Sequence, residues 1–341
     1  MSEDLDKRKK KVLQAIIEAY IETAEPVSSN NLVKELECSS ATIRNEMAEL
    51  EKIGFIEKPH TSAGRIPSQK GYRYYVDELI RDDKLSKREM EIIKERLETK
   101  VNDLEDLTKI ATTTLSEITH YTTITIGPDV NNHTIVDIKF VLLGSRVLMA
   151  VILTDSGIIR ESIIKFDEDI NQEQVDDLTR LFKNKLVGKP LEELNAPLEE
   201  FIMAEMKTGI NIIKKVIEEI NKIILESHQI YLDGANKVVD MPEFKKVDVA
   251  KDFLNVLDAK DLVADVLNTG MAEDIKIYIG SETEKEELKN FSIVTFNHLL
   301  ADKDIGTIGI IGPTRMDYSK VISVMKYISK KLNDDFKNGK I

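Results

Sequence analysis

Between Ser39 and Asn45 the chain reads Ser-Ser-Ala-Thr-Ile-Arg-Asn, a set of hydrogen-bonding side chains at the expected start of a helix. Arg44 can donate two bonds to O6 and N7 of a guanine, Asn45 can pair N6 and N7 of an adenine, and Thr42 can touch a phosphate or a thymine methyl. Ser39 and Ser40, at a helix N-terminus, suit phosphate oxygens. From Lys58 to Val76 the chain holds Lys58, Arg65, Lys70 and Arg73 and no acidic residue, with Glu57 and Asp77 closing the segment on either side. An anionic partner fits there, and His60, Thr61 and Ser62 sit between its cations as polar contacts. Each phosphate neutralised adds about 0.9 to the slope of log affinity against log salt.

Such a helix is common on its own, and the order of elements around it is what gives it a role. Val12, Ile16, Ala19 and Thr23 recur at helical spacing over Lys7 to Thr23, and Glu25-Pro26 stops the run. Ser28-Ser29 caps a short second helix through Leu32, Val33 and Leu36. After the turn Glu37-Cys38-Ser39-Ser40, a third helix runs from Ala41 to Ile53, burying Ile43, Met47 and Leu50, with Gly54 as its left-handed cap. Phe55 to Lys58 and Arg65-Ile66 then form a hairpin around the turn residues His60 to Gly64. Helix, tight turn, helix and basic hairpin make a winged helix-turn-helix, whose second helix enters the DNA major groove.

Charge divides the chain. The whole carries 48 Lys+Arg against 61 Asp+Glu, net −13, while residues 1–75 are neutral, so the acidic excess lies entirely beyond them. A protein that coats nucleic acid over its whole surface is excluded. The N-terminus is charged where a secretory signal needs apolar residues, and no apolar run approaches a membrane span, so a cytoplasmic protein is expected. Cys38 is the single cysteine, and five scattered histidines have no ligand spacing. No metal, cofactor or redox site is expected. Gly306, Gly309 and Gly312 match neither phosphate-loop spacing and read as packing glycines in a strand. With no converged catalytic set, the sequence does not read as an enzyme.

Beyond the first 80 residues, Leu97, Val101, Leu104, Ala111, Leu115 and Ile118 make a near-heptad stripe, either a connecting helix or a dimer seam. Strand signals follow over 121–166, then a helical block, then strands again at 275–279, 291–296 and 307–311 before a last amphipathic helix. We expect an α+β domain, 81–168 with 272–341, interrupted by a mainly helical insert, 169–271. Within the insert, Met206, Ile210, Ile213, Ile217, Ile220 and Ile224 form a stripe too broad for one helix to hide. It is the expected subunit contact of a homodimer.

Pro26-Val27-Ser28-Ser29, Ser39 to Arg44, His60 to Pro67 and Gly71 to Asp77 closely resemble motifs of the heat-inducible transcription repressor HrcA family. So do Ile230 to Gly234, Met241-Pro242-Glu243-Phe244 and Gly312 to Tyr318, so the resemblance spans essentially the whole chain. Asn236-Lys237-Val238-Val239 stands where the family more usually has Asn-Leu-Leu. The resemblance implies a winged helix, a GAF-like domain and a dimerisation domain inserted into it. It implies repression of chaperone operons through an inverted-repeat operator in double-stranded DNA, with a chaperonin keeping the repressor active until heating. A GAF-like domain also raises the alternative of a metabolite-responsive repressor with a ligand sensor.

Overall fold

The computed structural model describes residues 5–60, 63–80, 85–98, 104–127, 134–155, 159–190, 210–225, 230–238, 240–267, 275–300 and 303–337. They divide into two compact units, one of Met1–Thr125, Tyr231–Ala301 and Thr307–Ile341, the other of Ile126–Ile230 with Asp302–Gly306.

The first unit opens with the expected winged helix. Helix α1 (Lys7–Thr23) starts on Asp6, whose carboxylate accepts from the amides of Arg8 and Lys9, and ends at Ala24 in left-handed conformation. Helices α2 (Val33–Leu36) and α3 (Ser40–Lys52) follow, with Ser39 Oγ capping α3 by accepting from the Thr42 amide. Gly54 takes φ +82°, as its cap position requires. Strands β1 (Ile56–Glu57) and β2 (Ile66–Pro67) pair antiparallel, and Val27 bridges to Arg65 beside them. Leu13, Ile16, Ile43, Leu50 and Phe55 are essentially fully buried in this head. Helix α4 (Gln69–Tyr74) runs on into a π turn, Tyr75–Leu79. A Cβ at position 71 would lie 2.1 Å from the Phe55 carbonyl oxygen, so only glycine lets α4 approach the wing so closely.

The body continues through α5 (Lys87–Leu97) and α6 (Leu104–Thr119), which pack on each other. The described part of the near-heptad stripe, Leu97, Ala111, Leu115 and Ile118, is therefore buried where α5 and α6 pack within this unit; Val101 and the side chain of Leu104 lie outside the described residues. Strand β3 (Thr122–Ile126) leads to the second unit, with β4 (Ile135–Gly144), β5 (Val147–Thr154), β6 (Ile159–Lys165), α7 (Gln172–Leu186) and α8 (Ile210–Leu225). The chain returns through β7 (Ile230–Asp233), α9 (Ala235–Val238), α10 (Val247–Asp258) and α11 (Lys260–Leu267). It closes with β8 (Ile275–Ile279), β9 (Phe291–Leu300), β10 (Lys303–Pro313) and α12 (Tyr318–Lys337).

Two sheets are built from these strands, where the sequence suggested one interrupted sheet. The body's sheet runs β7-β3-β10-β9-β8, whereas β4-β5-β6 form a separate antiparallel sheet. The insert therefore comprises Ile126–Ile230 rather than 169–271, and carries a sheet as well as helices. The reason is pairing: β5 takes β4 on one side and β6 on the other, leaving only β3 for the body. At the other boundary, Phe253 of α10 packs at 4.9 Å from Phe244 and 5.3 Å from Phe291, so α10 belongs to the body's core. Gly309 packs there too, since a Cβ would meet Leu267 at 2.2 Å.

Inside the insert, Ile213, Ile217 and Ile220 are at most 2% exposed and join Ile138, Phe140, Ile152, Ile164 and Phe182 in one core. These three do not form a subunit surface: the sheet of their own unit already covers them. Met206 lies outside the described residues, as do the side chains of Ile210 and Ile224.

Candidate nucleic-acid interface

Helix α3 buries Ile43, Met47 and Leu50, which leaves Ala41, Arg44, Asn45 and Ala48 exposed on the opposite stripe. Arg44 and Asn45 project from the first turns between two small residues, which let a base edge come close. The turn before them is held rigid. Ser40 Oγ donates to Asn30 Oδ1 at 2.6 Å and lies 2.9 Å from Ser29 Oγ, while Ser39 Oγ lies 2.9 Å from Thr42 Oγ1. Ser39 is exposed and Ser40 and Thr42 are half-buried; Ser40 ties the start of α3 to the segment before α2, and Thr42 adds to the α3 cap.

Three glutamates on α3 sit close to this face, and an unmasked carboxylate there would repel phosphate. Each is paired. Lys9 Nζ lies 2.8 Å from Glu49 and 3.5 Å from Glu46, and Arg8 lies 3.8 Å from Glu46. On the other flank Arg65 Nε donates to Glu51 at 2.9 Å. Lys9 also binds Asp6 at 2.7 Å, and that ammonium, with the amides of Lys9 and Arg8, pulls the Asp6 carboxyl down to about 2. Sequence reading passed over Arg8 and Lys9; the signal was a basic run at the start of α1 and glutamates three apart on α3.

The basic hairpin segment is less uniform than its composition implies. Lys58 and His60 are exposed, and Thr61 and Ser62 lie outside the described residues. Three of its cations, read from sequence as phosphate or minor-groove ligands, are engaged by other groups of the protein. Arg65 holds Glu51, and its backbone exchanges two 2.8 Å hydrogen bonds with Val27. Lys70 Nζ donates to the Ile53 carbonyl at 2.9 Å, at the C-terminus of α3, and lies 4.5 Å over the Phe55 ring. Arg73 donates to Glu282, to Asp77 and to the Ile277 carbonyl. Composition counts charges, but their pairing depends on contacts distant in sequence.

Cys38 is a half-buried free thiol in the turn before α3. In the body, the gap between Leu115, Phe296, Ile308, Met325, Ile328 and Ser329 is too narrow to admit a water molecule. Among the described residues no helix is long and apolar enough to cross a membrane, and no group of His, Cys, Asp and Glu is placed to hold a metal ion.

A capped, rigidly turned helix with a free Arg-Asn face, a wing and charge-masked flanks defines a winged-helix DNA-binding regulator. Comparison with known proteins agrees. Residues 12–73 match the HTH domain model, and residues 105–322 match the HrcA protein C-terminal domain. The heat-inducible transcription repressor HrcA of Ruminiclostridium cellulolyticum is 41% identical, covering 97% of each chain, and that of Acetivibrio thermocellus is 39% identical over 97% of this chain and 96% of the relative. A crystal structure described as a hypothetical protein superposes with TM-score 0.65 at 25% identity, over 98% of this chain and 99% of that one. The chain belongs to the HrcA family of heat-inducible transcription repressors, which are DNA-binding regulators and not enzymes.

Proposed function

We propose that the chain acts as a symmetric dimer that represses chaperone operons by placing two α3 helices in successive major grooves of an inverted-repeat operator. The observation that carries this reading is the exposed Ala41, Arg44, Asn45, Ala48 stripe on a capped helix. A palindromic site requires two-fold symmetry, with half-sites about 34 Å apart or a multiple of it. Ser39, Thr42, Lys58 and His60 then lie against the backbone on either side of the bases.

The outer face of the insert's sheet supplies a seam for that dimer. On the face turned away from the core, Val141, Met149 and Ile163 pair across the three strands, and Leu153 pairs with Ile159 on β6 and with Asp137 on β4. Ile159 is 60% exposed, Ile163 58% and Leu143 54%, an apolar face of the kind that marks an association site. Between these rows, Lys139 and Glu161 flank Val151. A two-fold axis through such a face sets the lysine of one copy near the glutamate of the other.

Heat acts on this assembly by mass action. Domains are only about 5 to 15 kcal/mol stable, so warming shifts folded dimer toward an inactive form without a dedicated sensor residue. A chaperonin that refolds the inactive form keeps the operons silent until unfolded clients compete for it. Footprinting of the purified chain on chaperone promoters tests the reading: protection of two symmetric half-sites is expected, and protection of a single site, or none, overturns it.

A further inference from the structure

Three of the motifs noted in the sequence meet at one seam between the winged helix and the body. Arg315 grips the Glu243 carboxylate through Nε and Nη2, and its Nη1 donates to the Ile21 carbonyl of α1 at 2.6 Å. That carbonyl belongs to the last turn of α1, where orphan acceptors and the helix dipole both favour a cation. In the reverse direction, Arg73 of α4 grips Glu282 of the body and donates to the Ile277 carbonyl on the edge strand β8 at 2.6 Å. Arg73 thus crosses from the head to a carboxylate and a backbone carbonyl of the body, while Arg315, held in place by the body's own Glu243, crosses to a backbone carbonyl of α1. Partly exposed ion pairs add little net stability, but forked, two-point pairs dictate geometry.

Tyr72 lies between them, its ring 6.0 Å from that of Tyr318. It is 3% exposed, and its hydroxyl has no hydrogen-bond partner among the described residues. An orphaned buried hydroxyl disfavours the closed seam, and opening it to water removes the penalty. The seam therefore has strong directional contacts and a built-in deficit.

We infer that Arg73 and Arg315 are positioning residues for DNA binding: they set the angle at which each winged helix leaves the body, so that two α3 helices meet two half-sites together. This rests on the proposed two-fold operator. A head released from the seam still binds one half-site, but two free heads lose the advantage of a fixed separation.

The test compares full-length wild type with Glu282→Gln and Glu243→Gln, which loosen the seam without touching the head, and with Arg73→Gln and Arg315→Gln. Binding is measured by anisotropy on a duplex carrying the inverted repeat and on one carrying a single half-site. The expected result is a loss of about tenfold or more on the inverted repeat, with half-site affinity and its salt slope unchanged. Tyr72→Phe is expected to move the other way, retaining the inverted repeat to a higher temperature. Unchanged affinity for the repeat in all four Gln variants overturns the inference, and so does an equal loss on both duplexes, which in Arg73→Gln alone would return Arg73 to the phosphate backbone. A wild-type chain that binds both duplexes alike would overturn the proposed operator itself, and the inference with it.

Discussion

Arg65 Nη2 lies 2.6 Å from Glu51 Oε2, joining the base of the wing to the recognition helix. This cation cancels a carboxylate beside the α3 stripe proposed to read bases. Lys9 does the same for Glu46 and Glu49 on the other flank.

Removing a masking cation should therefore weaken binding to any sequence. Lys9→Ala is expected to lower affinity several-fold on operator and random DNA alike, and Lys9→Ala with Glu49→Ala should recover much of the loss. Anisotropy titrations on both duplexes decide it: a loss confined to the operator would make Lys9 a base-reading residue.

Arg44 should behave oppositely. Arg44→Ala is expected to cost about 1 to 3 kcal/mol on the operator and little on random DNA. Equal losses would reassign it to phosphate.

Two lysines of the wing segment should separate by salt dependence. Lys58→Ala should lower the slope of log affinity against log salt by about 0.9. Lys70→Ala should leave the slope alone and destabilise the head by about 0.5 to 1 kcal/mol through the lost ring contact. Thermal melts and salt titrations read the two effects; a flatter slope for Lys70→Ala contradicts its place under Ile53.

Substitutions in the insert distinguish its two faces. Ile163→Glu should give a folded monomer by sedimentation, since Ile163 is exposed. Ile217→Glu buries a carboxylate among core side chains and should unfold the insert, at a cost well above the about 1 kcal/mol typical of point changes. A dimer surviving Ile163→Glu would place the seam elsewhere.

Acid should loosen the start of α1 in a defined window. The Asp6 carboxyl titrates near 2 in the folded head, below its ordinary 3.8. A depressed value means the stabilisation is complete above pH 3.8 and is lost as the pH falls toward 2. Carboxyl NMR titration of wild type shows this directly, and Asp6→Asn should remove it.

The winged helix was legible because its determinants are local. Caps at Ser39 and Gly54, the apolar period of Ile43, Met47 and Leu50, and the turn residues of the hairpin all act within a few positions. The insert's limits were not, because strands β4 to β6 carry the same alternation whichever sheet they join, and only pairing partners decide. The stripe through Ile213, Ile217 and Ile220 was correctly apolar, but periodicity does not tell a core from a contact. Arg65, Lys70 and Arg73 have basic side chains in a basic segment; their carboxylate and carbonyl partners lie as far away as Glu282.

The chain contains no tryptophan. Tyr72 and Tyr318 meet at the junction of head and body, and Tyr121 Oη, accepting from the Asp317 amide, stands beside it. Ultraviolet emission from this protein thus originates in phenol rings, with no indole to drain their excitation. Wetting of that junction on warming will alter the native fluorescence, giving a label-free optical readout of whether the DNA-reading module is seated.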